Sequence, residues 1–225
     1  MSKSSTFPIK FKIIILTSLV LVTSISFYIF YATTLFQKDK KAYIYETSLA
    51  NSKSISNEVS SKLTSLEKDL NVLGRLVESK QYKAIDQIID KTKYIKSFYY
   101  LQNDKIKYFT KDLIDIDKSK LSLESGLNNL TLKAHSFLTF TINFNNTPIG
   151  IVFDKTVIQS IIESNRIYNS ALIHKDGHII IGKGIQQEFV TLVTSSLNDH
   201  NAVKTALYDN EKLLFSISQV QNVKM

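Results

Sequence analysis

KAHSFLTFTINFNNTPIGIVFDK, residues 133–155, sets the period on which the rest of the chain is read. Phe137, Thr139, Thr141 and Asn143 alternate with Leu138, Phe140, Ile142 and Phe144. That is a two-residue repeat with one apolar face, the pattern of a strand packed on a core. Asn145-Asn146-Thr147-Pro148 reads as a turn, and Ile149–Phe153 as the returning strand. An apolar sheet face must be covered. Directly after it, Val157, Ile158, Ile161 and Ile162 fall at helical spacing within Lys155–Asn165.

Working outward, YIKSFYYLQNDKIKYFTKD (94–112) predicts two strands rich in aromatic and β-branched residues about a turn at Asn103-Asp104. Residues 113–130 read as irregular and polar, with Gly126 and an Asn pair. Gln81–Lys91 reads as a helix with Ile85, Ile88 and Ile89 on one side. Downstream lie the hairpin ALIHKDGHIIIGKG (171–184), a short helix over Glu188–Leu197, and strands over Ala202–Leu207 and Lys212–Val220. Helices and antiparallel hairpins in this order predict an α+β fold, with one sheet unit over about 92–165 and a second, partial one over about 168–225.

The segment IIILTSLVLVTSISFYIFYATTLF, residues 13–36, carries no charge. As a helix it is about 36 Å long, enough for a bilayer core with some tilt. Its Thr and Ser hydroxyls can bond back to the preceding turn, and Tyr28 and Tyr31 lie toward one end, where aromatic belts form. A cleaved leader would be shorter and end in a small-x-small site, so the expectation is an uncleaved single transmembrane helix. Lys3, Lys10 and Lys12 precede it; Lys38, Lys40 and Lys41 follow. The short N-terminus, residues 1–12, is expected in the cytoplasm. Residues 37–225 are then expected in the periplasm or outside the cell, held to the inner (plasma) membrane.

Residues 42–78 read as one long helix. Val59, Leu63, Leu66, Leu70, Leu73 and Val77 step by 4, 3, 4, 3 and 4. The upper stripe is expected to pack on the chain's own domain. Lower down, Ser48, Ser52 and Ser56 interrupt the apolar face. Contacts to a second copy are expected there, giving a homodimer through the long helix. A single rod would then join membrane and domain.

Composition bounds the chemistry. The chain has 225 residues and no Cys, which excludes disulfides, Cys-ligated zinc and thiol nucleophiles. Lys and Arg number 28 against 20 Asp and Glu, but the only arginines are Arg75 and Arg166. Lysines scattered among acids describe a solvated surface rather than a nucleic-acid interface, so no nucleic-acid partner is expected. No GxxxxGK[ST], GxSxG or HExxH is present. Asp112, Asp115 and Asp117 lack the Gly and Glu that a calcium loop needs at its sixth and twelfth positions. No enzyme activity, cofactor or metal is expected of this chain.

IGIVFDKTVIQSIIESNRIYNSALIHKDGHIIIGKG, residues 149–184, resembles the strand, aspartate, short helix and Asp-Gly hairpin of bacterial Cache sensor domains, extracytoplasmic relatives of the PAS fold. Asp154 would end the strand, Val157–Glu163 form the helix and Asp176-Gly177 the turn. LFQKDKKAYIYETSLANSKSISNEVSSKL after the anchor is similar to the start of Cache-containing receptors, nucleotide cyclases among them. The resemblance implies a sensor ectodomain that binds a small molecule between sheet and covering helices, shifts the long helix and is read by a cytoplasmic effector. That effector would follow in a longer chain or be a partner. Amino-acid-binding members carry Arg-x-Trp-Tyr. Arg166-Ile167-Tyr168 departs from it, so amino-acid recognition is not implied.

For the ligand, Tyr99, Tyr100 and Tyr108 offer stacking faces and hydroxyls, and Lys107 or His135 a partner for an anionic group. Aromatic residues on strands also serve plain packing. In the 171–184 hairpin, a two-residue loop Asp176-Gly177 puts His174 and His178 on opposite faces. A three-residue loop Lys175-Asp176-Gly177 sets them opposite each other. Two His nitrogens alone fall short of a usual zinc set. The competing function is a membrane-tethered interaction or assembly protein whose helix 42–78 binds a partner, with no small ligand.

Overall fold

One helix, α1, runs Ile9–Glu78. The structure, a computed structural model, describes residues 8–103, 105–110, 121, 123–132, 135–164, 169–174, 177–182, 184–194, 201–208, 211–218 and 220. They divide into two compact units, Met1–Ser48 and Leu49–Met225.

In the first unit α1 is apolar and long enough to cross a membrane, and none of its apolar window is buried. Its hydroxyls behave as expected. Thr17 donates to Ile13 O and Thr23 to Leu19 O, while Ser24 donates to Val20 O and Thr33 to Ile29 O. These hydroxyls are satisfied within the helix, as groups lying in hydrocarbon must be.

In the second unit the stripe on α1 does what its spacing predicts. Val59, Leu63, Leu66, Leu70 and Leu73 are buried, and Val77 packs beside them. Helix α2 (Tyr82–Lys91) adds Ile85 and Ile89. Both pack on a five-stranded antiparallel sheet: β1 (Ile95–Gln102), β2 (Lys105–Thr110), β3 (Gly126–Leu132), β4 (His135–Phe144) and β5 (Thr147–Asp154), in the order β2-β1-β5-β4-β3. Leu138, Phe140 and Ile142 of β4, Ile149, Ile151 and Phe153 of β5, and Phe98 and Tyr100 of β1 complete that core. The fold is α+β.

Two expectations need correction. Gly126–Leu132, expected to be irregular, is the edge strand β3. Asn128 and Asn129 disfavour strand, and Leu127 and Leu130 break the two-residue repeat. A full ladder to β4, from Gly126↔Thr141 to Leu132↔His135, overrides that local signal. The β4–β5 turn is also shorter than expected. Asn145 (φ 47°) and Asn146 (φ 63°) form it alone, the left-handed pair of a tight hairpin turn. Pro148 lies inside β5, beyond the last residue paired with β1 (Ile149), so it is tolerated.

Gly74 explains how closely α1 approaches β4 and β5. A Cβ there would lie 2.8 Å from Phe144 Cδ1 and 2.9 Å from Ile149 Cδ1. Two polar contacts flank it. The Tyr94 hydroxyl, just before β1, donates to Asp69 Oδ2 at 2.6 Å, with the Lys62 ammonium 4.6 Å from the Tyr94 ring centre. At the β4–β5 turn, Asn145 Nδ2 donates to Glu78 Oε1 at 2.6 Å.

Helix α3 (Thr156–Ile162) follows β5 and buries Ile158, Ile161 and Ile162. Its start is held by Asp154, whose carboxylate accepts the Thr156 N–H at 2.9 Å. That bond, aided by Lys96 and Lys155 and opposed by burial, lowers the Asp154 pKa. A depressed carboxylate stabilises the fold above its unfolded pKa of about 4, and loses that contribution as pH falls through its folded value. Asp154→Asn is therefore expected to flatten the acid limb of the Tm–pH profile below about pH 4. Thermal unfolding from pH 7 to 2.5 checks it; two superimposable acid limbs would reject it.

Beyond α3 come β6 (Ala171–Ile173), β7 (Ile179–Gly182), α4 (Gln187–Thr194), β8 (Asn201–Tyr208) and β9 (Glu211–Ser218). They form two separate two-stranded ladders, β6-β7 and β8-β9.

Candidate functional site

Among the described residues, α1 and α2 cover one face of the sheet; the other face is built differently. On it stand Ser97 and Tyr99 from β1, Thr139 and Thr141 from β4, and Gly150 and Val152 from β5, as the registers Ser97↔Val152, Tyr99↔Gly150 and Thr139↔Val152 require. Ser97, Thr139 and Thr141 are buried, so the middle of the hairpin's second face does not meet solvent, whereas Asn143 next to the turn is exposed. Leu121, Leu130 and Val152 enclose Tyr99, with Ile106 and Phe137 at the margin.

Tyr99 occupies the centre. Its hydroxyl lies 2.6 Å from Thr141 Oγ1 and either atom can donate. Burial pushes its phenol up to about 12, an effect reduced by hydrogen bonds to Thr141 and Thr139. Gly150 makes the pose possible. A Cβ there would overlap the Tyr99 ring and hydroxyl. Thr139 Oγ1 donates to Asn128 O at 3.4 Å, and Ser97 Oγ to Phe109 O at 3.0 Å. The result is a buried cluster of four hydroxyls surrounded by apolar side chains.

The register separates the five candidate ligand residues. Tyr99 pairs with Tyr108 and shares this face; Tyr108 is 42 % exposed, and Tyr99 fully buried. Tyr100 pairs with Lys107 and belongs to the helix side. There Tyr100 stacks with Phe98 at 5.9 Å and Phe109 at 6.2 Å between ring centres, and Phe109 stacks on Tyr82 of α2. Burial and then the neighbouring Tyr82 raise the Tyr100 pKa. Lys107 is exposed. His135 pairs with Leu132 where β4 begins, and its side chain lies outside the described residues. The hydroxyls of Ser97, Thr139 and Thr141, together with Gly150, were passed over by sequence reasoning, which favoured aromatic and basic side chains. Their signal was present: strict alternation puts Thr139 and Thr141 on one face of the central hairpin.

The His174/His178 hairpin resolves to the three-residue loop. Gly177 N–H donates to His174 O at 2.9 Å, and His174 N–H to His178 O at 2.8 Å. Gly177 has φ 85°, the left-handed bulge conformation that glycine adopts without strain. His174 thus stands opposite His178. Among the described residues no three His, Asp or Glu side chains gather to hold a metal. Gln187 at the start of α4 locks the turn, donating to Gly177 O at 2.6 Å and accepting from Ile179 N–H at 3.3 Å. Lys175, Asp176, the Arg166-Ile167-Tyr168 run and Asp112, Asp115 and Asp117 lie outside the described residues.

No protein-family model matches the chain, and no curated protein matches it. Among solved structures, it is similar to the sensory domain of the Campylobacter jejuni chemoreceptor Tlp3 (CcmL), at 15 % identity and a TM-score of 0.46 over 80 % of this chain and 92 % of that one. It is also similar to the ligand-binding domain of C. jejuni Tlp3 in complex with 4-methylisoleucine, at 15 % identity and a TM-score of 0.38 over 81 % of this chain and 80 % of that one. With TM-scores below 0.5 neither likeness carries weight for this chain, whose strand order and registers stand on its own backbone.

Proposed function

We propose that the chain is a membrane-anchored, Cache-like sensor module of a bacterial signal-transduction receptor. It binds a small ligand over the Tyr99 face of the sheet and relays the event through α1. One observation carries this reading: the sheet face opposite α1 carries a buried cluster of hydroxyls around Tyr99. The three buried hydroxyl side chains and the phenol are hydrogen-bonded within the sheet, and a ligand bound at this face would exchange those bonds for its own. The apolar stretch of α1 supports the membrane anchor. The lysines flanking it balance at three on each side, so the assignment of residues 37–225 outside the cytoplasm rests on a following domain translocating largely regardless of its charge. Lower α1 is the dimer contact, and the effector, a nucleotide cyclase for example, reads the helix from the cytoplasm.

The test is thermal unfolding of the full chain in detergent micelles against a panel of amino acids, carboxylic acids, nucleosides, sugars and amines. A ligand at a hundred times its Kd stabilises the folded state by about 2.7 kcal/mol. At this chain length that raises Tm by roughly 5–10 °C. Tyr99→Phe and Thr141→Val are each expected to weaken the response by about two- to tenfold in Kd through the lost hydrogen bond. If no compound class raises Tm, or if both variants respond like the parent, the sensor reading fails at this face.

A further inference from the structure

We propose that β1 is the lever joining the Tyr99 face to α1, and that the Tyr94–Asp69 contact is the point at which it grips or releases the helix. Tyr99 lies on the side of β1 turned away from α1, five residues and about 16 Å from Tyr94, which immediately precedes the strand. The Tyr94 hydroxyl reaches Asp69 Oδ2 at 2.6 Å, and its ring underlies Lys62. Lys62 and Asp69 are seven residues apart on α1, two turns, so both project from one side of the helix.

The rest of the attachment differs in kind. Gly74 lets α1 close on Phe144 and Ile149, and Glu78 is tied to Asn145. Those partners belong to β4, β5 and their turn, not to β1. The Gly74 contact is an apolar interdigitation that cannot be exchanged for water, so it serves as a fulcrum. Tyr94 is only part-buried, and its bond to Asp69 can be exchanged for one to water. Between Tyr94 and Tyr99 the ladder to β5 slips by one residue, Ile95↔Phe153 followed by Ser97↔Val152, with Asp154 N–H donating to Tyr94 O at 3.2 Å. Such an irregularity is where a strand bends. A displaced Tyr99 would therefore move the start of β1, where the grip on α1 sits, more readily than it moves the fulcrum.

The inference rests on the sensor reading for its purpose, but its test needs no ligand, so the two can fail separately. Tyr99→Phe serves as the input, with Thr141→Val as an independent second input. Tyr94→Phe removes the grip while keeping the ring beneath Lys62. Hydrogen exchange of α1 residues 59–70 is read by mass spectrometry in the full chain in micelles, for each input with and without Tyr94→Phe. Each input is expected to change exchange there at least about threefold with Tyr94 present, and less than about 1.5-fold in the Tyr94→Phe background. Equal changes in both backgrounds, a change that spreads in proportion over β3 and β4 as in global loosening, or no change at all would each overturn the lever.

Discussion

Leu70→Ala is expected to cost about 3 kcal/mol, within the 2–5 kcal/mol that buried Leu truncations span. Leu70 is fully buried in the middle of the α1 stripe, between Leu66 and Leu73, against the sheet's helix face. The loss has two parts. Transfer of the removed methyl groups out of the core is one. The cavity left between a helix and a five-stranded sheet is the other, and neither partner can collapse freely into it. For a unit of this size the change lowers Tm by roughly 6–12 °C. Val72, two residues on and 51 % exposed, is the internal control. Val72→Ala is expected to change stability by no more than about 0.5 kcal/mol. Circular dichroism melts of the full chain in micelles at two protein concentrations make the comparison. A Leu70 effect that appears only at the higher concentration would mean that the stripe seals against another copy rather than its own sheet.

That contrast also shows which parts of the fold were legible. The stripe on α1 could be read because helical spacing maps directly onto one side of a cylinder, and a 4-3-4-3-4 run has no competing explanation. The β4–β5 hairpin was legible for the same reason at period two. β3 was not, because its pairing to β4 decides its state and its own residues argue against it. Asn145-Asn146 was recognisable as a turn, yet its length depends on whether Pro148 is paired on both sides, which sequence does not record. The hairpin at His174 left two registers open; the Gly177 N–H bond to His174 O selects the three-residue loop.

The candidate site was legible only in part, and the reason lies in β1. Tyr99 and Tyr100 are neighbours, so alternation alone puts them on opposite faces. Which face the helices would take is a tertiary fact, fixed by Gly74 and by the two apolar sets on β4 and β5. Once α1 occupies the Tyr100 side, Tyr100 becomes part of an aromatic stack with Phe98 and Phe109. Tyr99 becomes the centre of the face opposite α1. Thr139 and Thr141 then change meaning: residues expected on the weaker side of an amphipathic strand become buried hydroxyls against a phenol.

Gly150→Ala is expected to be the most informative change on that face. The added methyl would occupy the volume of the Tyr99 ring and hydroxyl, and lie 2.8 Å from Cε2. Tyr99 cannot yield locally, because its side chain is fully buried and walled by Leu121, Leu130 and Val152. Overpacking of this kind costs about 1–3 kcal/mol. Expelling the ring adds the loss of the Tyr99–Thr141 bond, which leaves a buried hydroxyl short of a partner at about 1–3 kcal/mol more. A compensating gain from restricting the unfolded chain at glycine is below about 1 kcal/mol and does not offset this. The cause is isolated by Tyr99→Leu in the Gly150→Ala background. If the clash is with the ring, the double variant is more stable than the sum of the two single losses by at least about 1 kcal/mol, the coupling expected of residues in direct contact. Additive losses in urea unfolding would mean that Gly150 is needed for its own backbone rather than for Tyr99, and would remove the structural reason for placing Tyr99 at the centre of the ligand face. Coupled losses together with an unchanged metabolite response would separate the two roles, leaving Tyr99 as packing and moving the ligand away from this face.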